Sequence, residues 1–302
     1  MTDGPEDSRP ENERRAAARE KARQLRTTQQ RKDRRNRLFL SGGIVVGALA
    51  IIAVVVIIIV TAIRPTVPGP KNMASDGVVV GAGLKVQPTP SLSADASPIP
   101  TTPDASGSVV NIRVYVDYLC ALCGDFQRTN AEQLEPLVKD GAVTMEVHPI
   151  AILTSHSNGT RYSLRSANAA ACVANYSPNS FWNFNNSLFE NQPKEGSSGL
   201  TDAQLKDRVS ASGAKSTSSI DSCIDDGTYK NWVTDASDRA LAGPIPNSSV
   251  KKLTIAPLVL VNGKQYTGSL KSASDFKAFV LQAQGDSYST STPSPSPSPS
   301  AG

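Results

Sequence analysis

The chain has 302 residues with a formal net charge of +4, four cysteines and two histidines. The charge is unevenly spread: residues 1–37 hold twelve Lys/Arg against seven Asp/Glu, a net +5, which leaves −1 for the rest of the chain. The basic balance therefore belongs to a terminal arm that reads as solvated and disordered, and it argues against a nucleic-acid-binding body.

Residues 38–63 are 26 positions without a charge, rich in Ile and Val. As a helix they would reach about 39 Å, enough to span a bilayer with tilt. The run is longer than a secretory signal core and ends at Ile63-Arg64-Pro65, so it reads as an uncleaved signal anchor. The positive-inside rule then leaves the arm in the cytoplasm and exports the C-terminal part of the chain.

Residues 64–108 are rich in Pro, Ser and Thr and read as an extended spacer, with Gly77-Val78-Val79-Val80-Gly81 as a candidate edge strand of the folded part. Residues 286–302, with repeated Ser-Pro, have nothing to bury and read as a disordered tail. Between them, 109–285 reads as one domain. Ile112, Val114 and Val116 alternate with Arg113, Tyr115 and Asp117, a strand pattern that runs into Cys120-Ala121-Leu122-Cys123. Phe126, Leu134 and Leu137 then give a helical stripe, in which Pro136 is expected to kink the helix or start a new one. Val143, Met145 and Val147 alternate as a second strand, and strand-helix-strand order implies a parallel pair. Residues of about 160–242 read as an insertion of several short helices. Ile255 to Val261 restores a strand, Asn262-Gly263 signals a hairpin, and Ala273 to Ala283 is a last helix.

All four cysteines lie on the exported side, where disulfides persist. The C-x-x-C is the pair fixed by local geometry, so Cys172 with Cys223 follows by elimination, as a structural bridge. Zinc is the competing reading, but a second close pair is missing. In a strand-C-x-x-C-helix unit the first sulfur sits over unpaired N–H groups and the positive end of the dipole, which stabilise a thiolate. Cys120 is thus the expected nucleophile and Cys123 the resolving sulfur; an inert staple would gain little from closing so short a loop. Asp117, three residues before Cys120, is placed either to cap the loop locally or to accept a proton. His148 and His156 have a structural or exposed role by default.

The chain resembles the thioredoxin-fold DsbA family, most closely its actinobacterial membrane-anchored members. The resemblance rests on Val114 through Phe126 around the C-x-x-C, on the helical insertion with its own cysteine pair, on Phe189-Glu190-Asn191-Gln192-Pro193, and on Ala256-Pro257-Leu258-Val259-Leu260-Val261-Asn262-Gly263. It implies an α/β thioredoxin-like fold with an inserted helical subdomain, here preceded by a single transmembrane helix. It further implies that Pro257 is a cis-proline facing the sulfurs, and that Ala256, Ala121 and Leu122 contact substrate. The implied activity is donation of the Cys120–Cys123 disulfide to reduced exported proteins, without a bound cofactor or metal. Reoxidation would come from a membrane partner of the DsbB or vitamin K epoxide reductase-like kind. The chain departs from the family in carrying Ala121-Leu122 where Pro or His is common, and Ala256 where Thr is common. Val114 stands where thioredoxin-type reductases carry a buried carboxylate, which argues mildly against a dedicated reductase. The alternatives are an isomerase or reductase, and a non-catalytic anchored binding module with a peptide groove beside Pro257.

Overall fold

The computed structural model describes residues 67–104 and 106–291, together with short exposed helical stretches at 15–16, 19–23, 25–29 and 31–32 of the basic arm. The expected membrane span at 38–63 lies outside the described residues. Among those described, no helix is long and apolar enough to cross a membrane.

Six strands form one sheet: β1 (Val78–Gly81), β2 (Lys85–Val86), β3 (Val110–Val116), β4 (Val143–Pro149), β5 (Leu258–Val261) and β6 (Lys264–Gln265), in the order β2-β1-β4-β3-β5-β6. The crossover α1 (Ala121–Lys139) joins β3 to β4, and these two pair in parallel as their order requires. β5 pairs antiparallel with β3 and with β6. The β5–β6 turn puts Asn262 at φ 46° and Gly263 at φ 78°, the left-handed pair that a two-residue hairpin demands. Gly263 is also needed for space, because a Cβ there would lie 2.4 Å from the Asn247 carbonyl oxygen.

Between β4 and β5 lie α2 (Tyr162–Tyr176), α3 (Phe181–Glu190), α4 (Asp202–Ala211), α5 (Thr217–Asp226) and α6 (Lys230–Ala242). After β6 comes α7 (Ala273–Ser291). Phe126 of α1 meets Phe276 of α7 edge-on at 5.0 Å, and both rings are fully buried.

Three expectations are corrected. First, the stretch 67–104 is not a free spacer. Met73, Ala74 and Val78 to Val80 are buried, and backbone bonds from Gly69 to Leu92, Asn72 to Thr89 and Ile99 to Ala74 fold it onto the domain. Its few apolar residues outweighed its polar composition because the sheet offered β1 a partner: Val78 to Val80 pair with β4 while β2 covers the other side, so β1 is interior rather than an edge. Second, α1 runs through Pro136 as a single helix, the proline falling in its last turn. Third, α7 takes in 286–291 of the stretch read as tail. There Asn262 Nδ2 donates to Ser287 Oγ at 2.8 Å and Lys264 Nζ lies 2.7 Å from Asp286.

The register of β3 against β4 also creates a buried polar cluster. Arg113 faces Glu146 and Tyr115 faces His148. Arg113 Nε lies 2.8 Å from Glu146 Oε2, its Nη1 donates to the Pro246 carbonyl at 2.6 Å, and Ser75 Oγ donates to Glu146 Oε1 at 2.7 Å. His148 is buried, stacks on Tyr115 at 4.3 Å and places Nε2 3.1 Å from Glu146 Oε1. Burial by itself would raise the Glu146 carboxyl, but His148, Arg113 and the Thr101 hydroxyl more than offset it and hold it well below the usual carboxylate range. His156, by contrast, is exposed.

Candidate active site

The end of β3 delivers the cysteine pair. Beyond Val116 the chain turns on Asp117, which is buried: Oδ1 accepts from the Leu119 N–H and Oδ2 from the Leu153 N–H, both at 2.9 Å, and its carbonyl accepts from the Cys120 N–H at 3.0 Å. Asp117 therefore fixes the loop before the C-x-x-C and ties it to the segment after β4. Burial pushes its carboxyl up, partly offset by these N–H donors.

Cys120 is the N-cap of α1, with extended backbone at φ −69°, ψ 114°, and its Sγ accepts from the Cys123 N–H at 3.1 Å. A side chain with an acceptor atom at this position satisfies one of the helix's first unpaired donors, which explains why the helix begins here. Both sulfurs are present as thiols. Cys120 keeps 4% exposure, whereas Cys123 has none. Burial, then the hydrogen bond with Cys120, pushes the Cys123 thiol well up.

Across from the sulfurs, the Cys120 thiol donates to the Ala256 carbonyl at 3.3 Å, and the Ala256–Pro257 peptide bond is cis. The structure thus brings together Cys120, Cys123, Ala256 and Pro257 from opposite ends of the domain. Ala121 and Leu122 are exposed on the rim, Leu122 at 41%. Ile255, which precedes Ala256 in the chain, is exposed at 60%. The sequence pattern placed Ile255 at the start of a strand, but the strand begins at Leu258 and leaves Ile255 outside it.

Two further residues reach the pair from the segment after α3. Gln192 Nε2 donates to the carbonyls of Tyr118 at 3.1 Å and Cys120 at 2.8 Å. Glu195 Oε1 accepts from the Ala121 N–H, the first of the helix, at 2.9 Å. Gly124 makes room for this approach, since a Cβ there would lie 2.0 Å from Gln192 Oε1. Gln192 belongs to one of the motifs that carry the family resemblance, but its residue type alone assigned it no role, and nothing local marked Glu195.

Cys172 of α2 and Cys223 of α5 form a disulfide with a Cα separation of 5.9 Å, which removes both from any zinc ligand set. Among the described residues no cluster of three or more His, Cys, Asp or Glu could hold a metal ion.

A parallel β3–α1–β4 unit, antiparallel β5 and β6, a C-x-x-C capping α1 and a cis-proline beside it define a thioredoxin-fold protein with a dithiol site. Residues 102–281 match the thioredoxin family, and the chain belongs to it, with a DsbA-type architecture. The structure is similar to the reduced disulfide bond oxidoreductase DsbG of Mycobacterium tuberculosis, at 28% identity and a TM-score of 0.51 over 72% of this chain and 95% of that one. It is equally similar to reduced DsbA of the same organism, at 27% identity and a TM-score of 0.51 over 72% of this chain and 100% of that one. A stretch of 145 residues is 32% identical to serine/threonine-protein kinase PknE of Mycobacterium tuberculosis, covering 46% of this chain and 25% of the kinase. The chain spans about a quarter of the length of the curated relatives it matches.

Proposed function

We propose that the chain is a membrane-anchored thiol–disulfide oxidoreductase that passes its Cys120–Cys123 disulfide to reduced exported proteins. The observation that carries this reading is the asymmetry of the pair: Cys120 caps the helix, keeps a small exposure and touches Ala256, while Cys123 has none and its thiol is pushed up by burial.

A substrate thiolate attacks Cys120 Sγ of the oxidised enzyme, forming a mixed disulfide as the Cys120–Cys123 bond breaks. Cys123 leaves with the bond's electron pair and takes a proton, because its buried site disfavours the charged form. A second substrate thiolate then attacks the substrate sulfur of the mixed disulfide. Cys120 leaves as a thiolate facing the Cys123 N–H, and the product carries the new disulfide. The two electrons now held as a dithiol pass to a membrane reoxidant of the DsbB or vitamin K epoxide reductase-like type. Ala256, Ala121 and Leu122 form the rim against which an extended substrate segment would lie, its backbone beside Ala256. The uncharged stretch 38–63 and the basic arm before it support a cytoplasmic N-terminus, a single span and an extracytoplasmic domain.

The test is oxidation of a reduced, unfolded substrate protein by the oxidised full-length chain. One disulfide should appear in the substrate per enzyme reduced, and Cys120→Ser should abolish transfer. Transfer that persists in Cys120→Ser would reject this assignment, and a wild-type chain that transfers nothing would favour a non-catalytic binding module.

A further inference from the structure

The first N–H of α1 is already occupied by an anion. Glu195, exposed in the segment after α3, places Oε1 2.9 Å from the Ala121 nitrogen, the residue next to Cys120. α1 has no acid in its own first turn, so this carboxylate is delivered from elsewhere in the fold. Its arrival is braced on both sides. Upstream, Gln192 bonds the Tyr118 and Cys120 carbonyls; downstream, the Gly196 N–H donates to the His156 carbonyl at 2.9 Å, and Thr160 Oγ1 donates to the Ser198 carbonyl at 2.6 Å. Asp125, the next acid along α1, is neutralised by Arg128 at 3.0 Å and Lys271 at 3.3 Å. Glu195 has no ion-pair partner among the described residues.

We infer that Glu195 is a positioning residue that sets the redox poise of the Cys120–Cys123 pair, making its disulfide a weaker oxidant than the same helix end would support without that charge. The inference rests on the oxidoreductase reading above. A helix N-terminus favours an anion through its unpaired N–H groups and its dipole. In the dithiol state any negative charge that forms on Cys120 Sγ shares one end of α1 with the Glu195 carboxylate and is repelled by it. In the disulfide state Cys120 carries no charge and the carboxylate has the end to itself. Glu195 therefore favours the disulfide in the exchange in which the enzyme disulfide and two glutathione thiols become the enzyme dithiol and one glutathione disulfide. Ala121-Leu122 contribute neither charge nor side-chain hydrogen bond to this sulfur, and Glu195 brings a carboxylate to the first N–H of its helix.

The test is the glutathione equilibrium of the purified full-length chain, compared with Glu195→Gln and Glu195→Lys. Glutamine keeps an oxygen acceptor for the Ala121 N–H and removes only the charge. Its equilibrium constant should move about two- to fivefold toward the dithiol, the range for a charge at an exposed helix end, or about 10 to 20 mV at 29.6 mV per tenfold. Lysine should move it further the same way, and the differences should shrink in 1 M salt, where the screening length is about 3 Å. A purely structural role would alter stability without this ordering by charge. Folded variants whose constants match the wild type, or move toward the disulfide, overturn the role of Glu195 alone. If the wild-type pair forms no reversible disulfide with glutathione, the oxidoreductase reading falls and takes this one with it.

Discussion

Replacing both Cys172 and Cys223 with alanine should cost stability and spare chemistry. The bridge closes a loop of 51 residues between α2 and α5, and a chain-entropy treatment of that length gives about 4 kcal/mol. For a domain of about 150–250 residues each kcal/mol is worth about 2–4 °C, so the melting temperature of the full-length chain should fall by about 8–16 °C. The loss should be felt unequally. α2 is buried along most of its length, whereas α5 buries only Ile220, Cys223 and Ile224, so cutting the bridge removes one of its three anchors. The Asn168 side chain, which reaches the Cys223 carbonyl at 3.5 Å and accepts from the Tyr229 N–H at 2.8 Å, remains to hold the end of α5. Thermal unfolding by circular dichroism with amide exchange mapped onto α5 reads both effects, and the substrate oxidation assay run below the new melting point reads the third. A melting temperature lowered by less than about 3 °C would refute the stabilising role. A folded double variant without transfer activity would show that the second pair takes part in the chemistry.

In the reduced chain at pH 7, a thiol alkylating agent should label Cys120 well before Cys123, because Cys123 has no exposure and burial pushes its thiol up; peptide mapping that finds Cys123 labelled first would refute the assignment of roles. Glu146→Gln should destabilise the fold by about 3–5 kcal/mol in urea unfolding, since it strands the buried Arg113 guanidinium, and a cost below about 1 kcal/mol would contradict that account. The same carboxylate gives a pH signature: its folded pKa lies below the unfolded value of 4.5, so its contribution is complete above that value and is lost as the pH falls toward the folded one. The wild type should therefore lose stability more steeply than Glu146→Gln below about pH 4.5, and parallel profiles would exclude the effect. Gly124→Ala should push Gln192 away from the carbonyls it holds and speed amide exchange at residues 191–199 with little change in melting temperature; unchanged exchange there would show that the contact does not hold the segment.

What the sequence determined by itself is what short-range physics writes into neighbouring residues. The alternation at Ile112, Val114 and Val116 yields β3, the strand-helix-strand order yields its parallel pairing with β4, and Asn262-Gly263 yields the hairpin, because each depends on side-chain period or local φ preference. Cys120 at the junction of strand and helix is of the same kind: capping is settled within four residues. Composition misled for 67–104, where a few apolar residues in a Pro-rich stretch became an interior strand once β4 presented an unpaired edge. Only the tertiary structure could decide that Arg113, Glu146 and His148 share one buried cluster, that the Ala256 carbonyl meets the Cys120 sulfur across 136 positions of sequence, and that Gln192 and Glu195 bind the start of α1 from more than 70 positions away. These contacts have no signature in propensity or period. They exist because burying the two faces of the sheet and packing the insertion against α1 bring distant backbone donors and acceptors within bonding range, where each must find a partner or bear the cost of losing water.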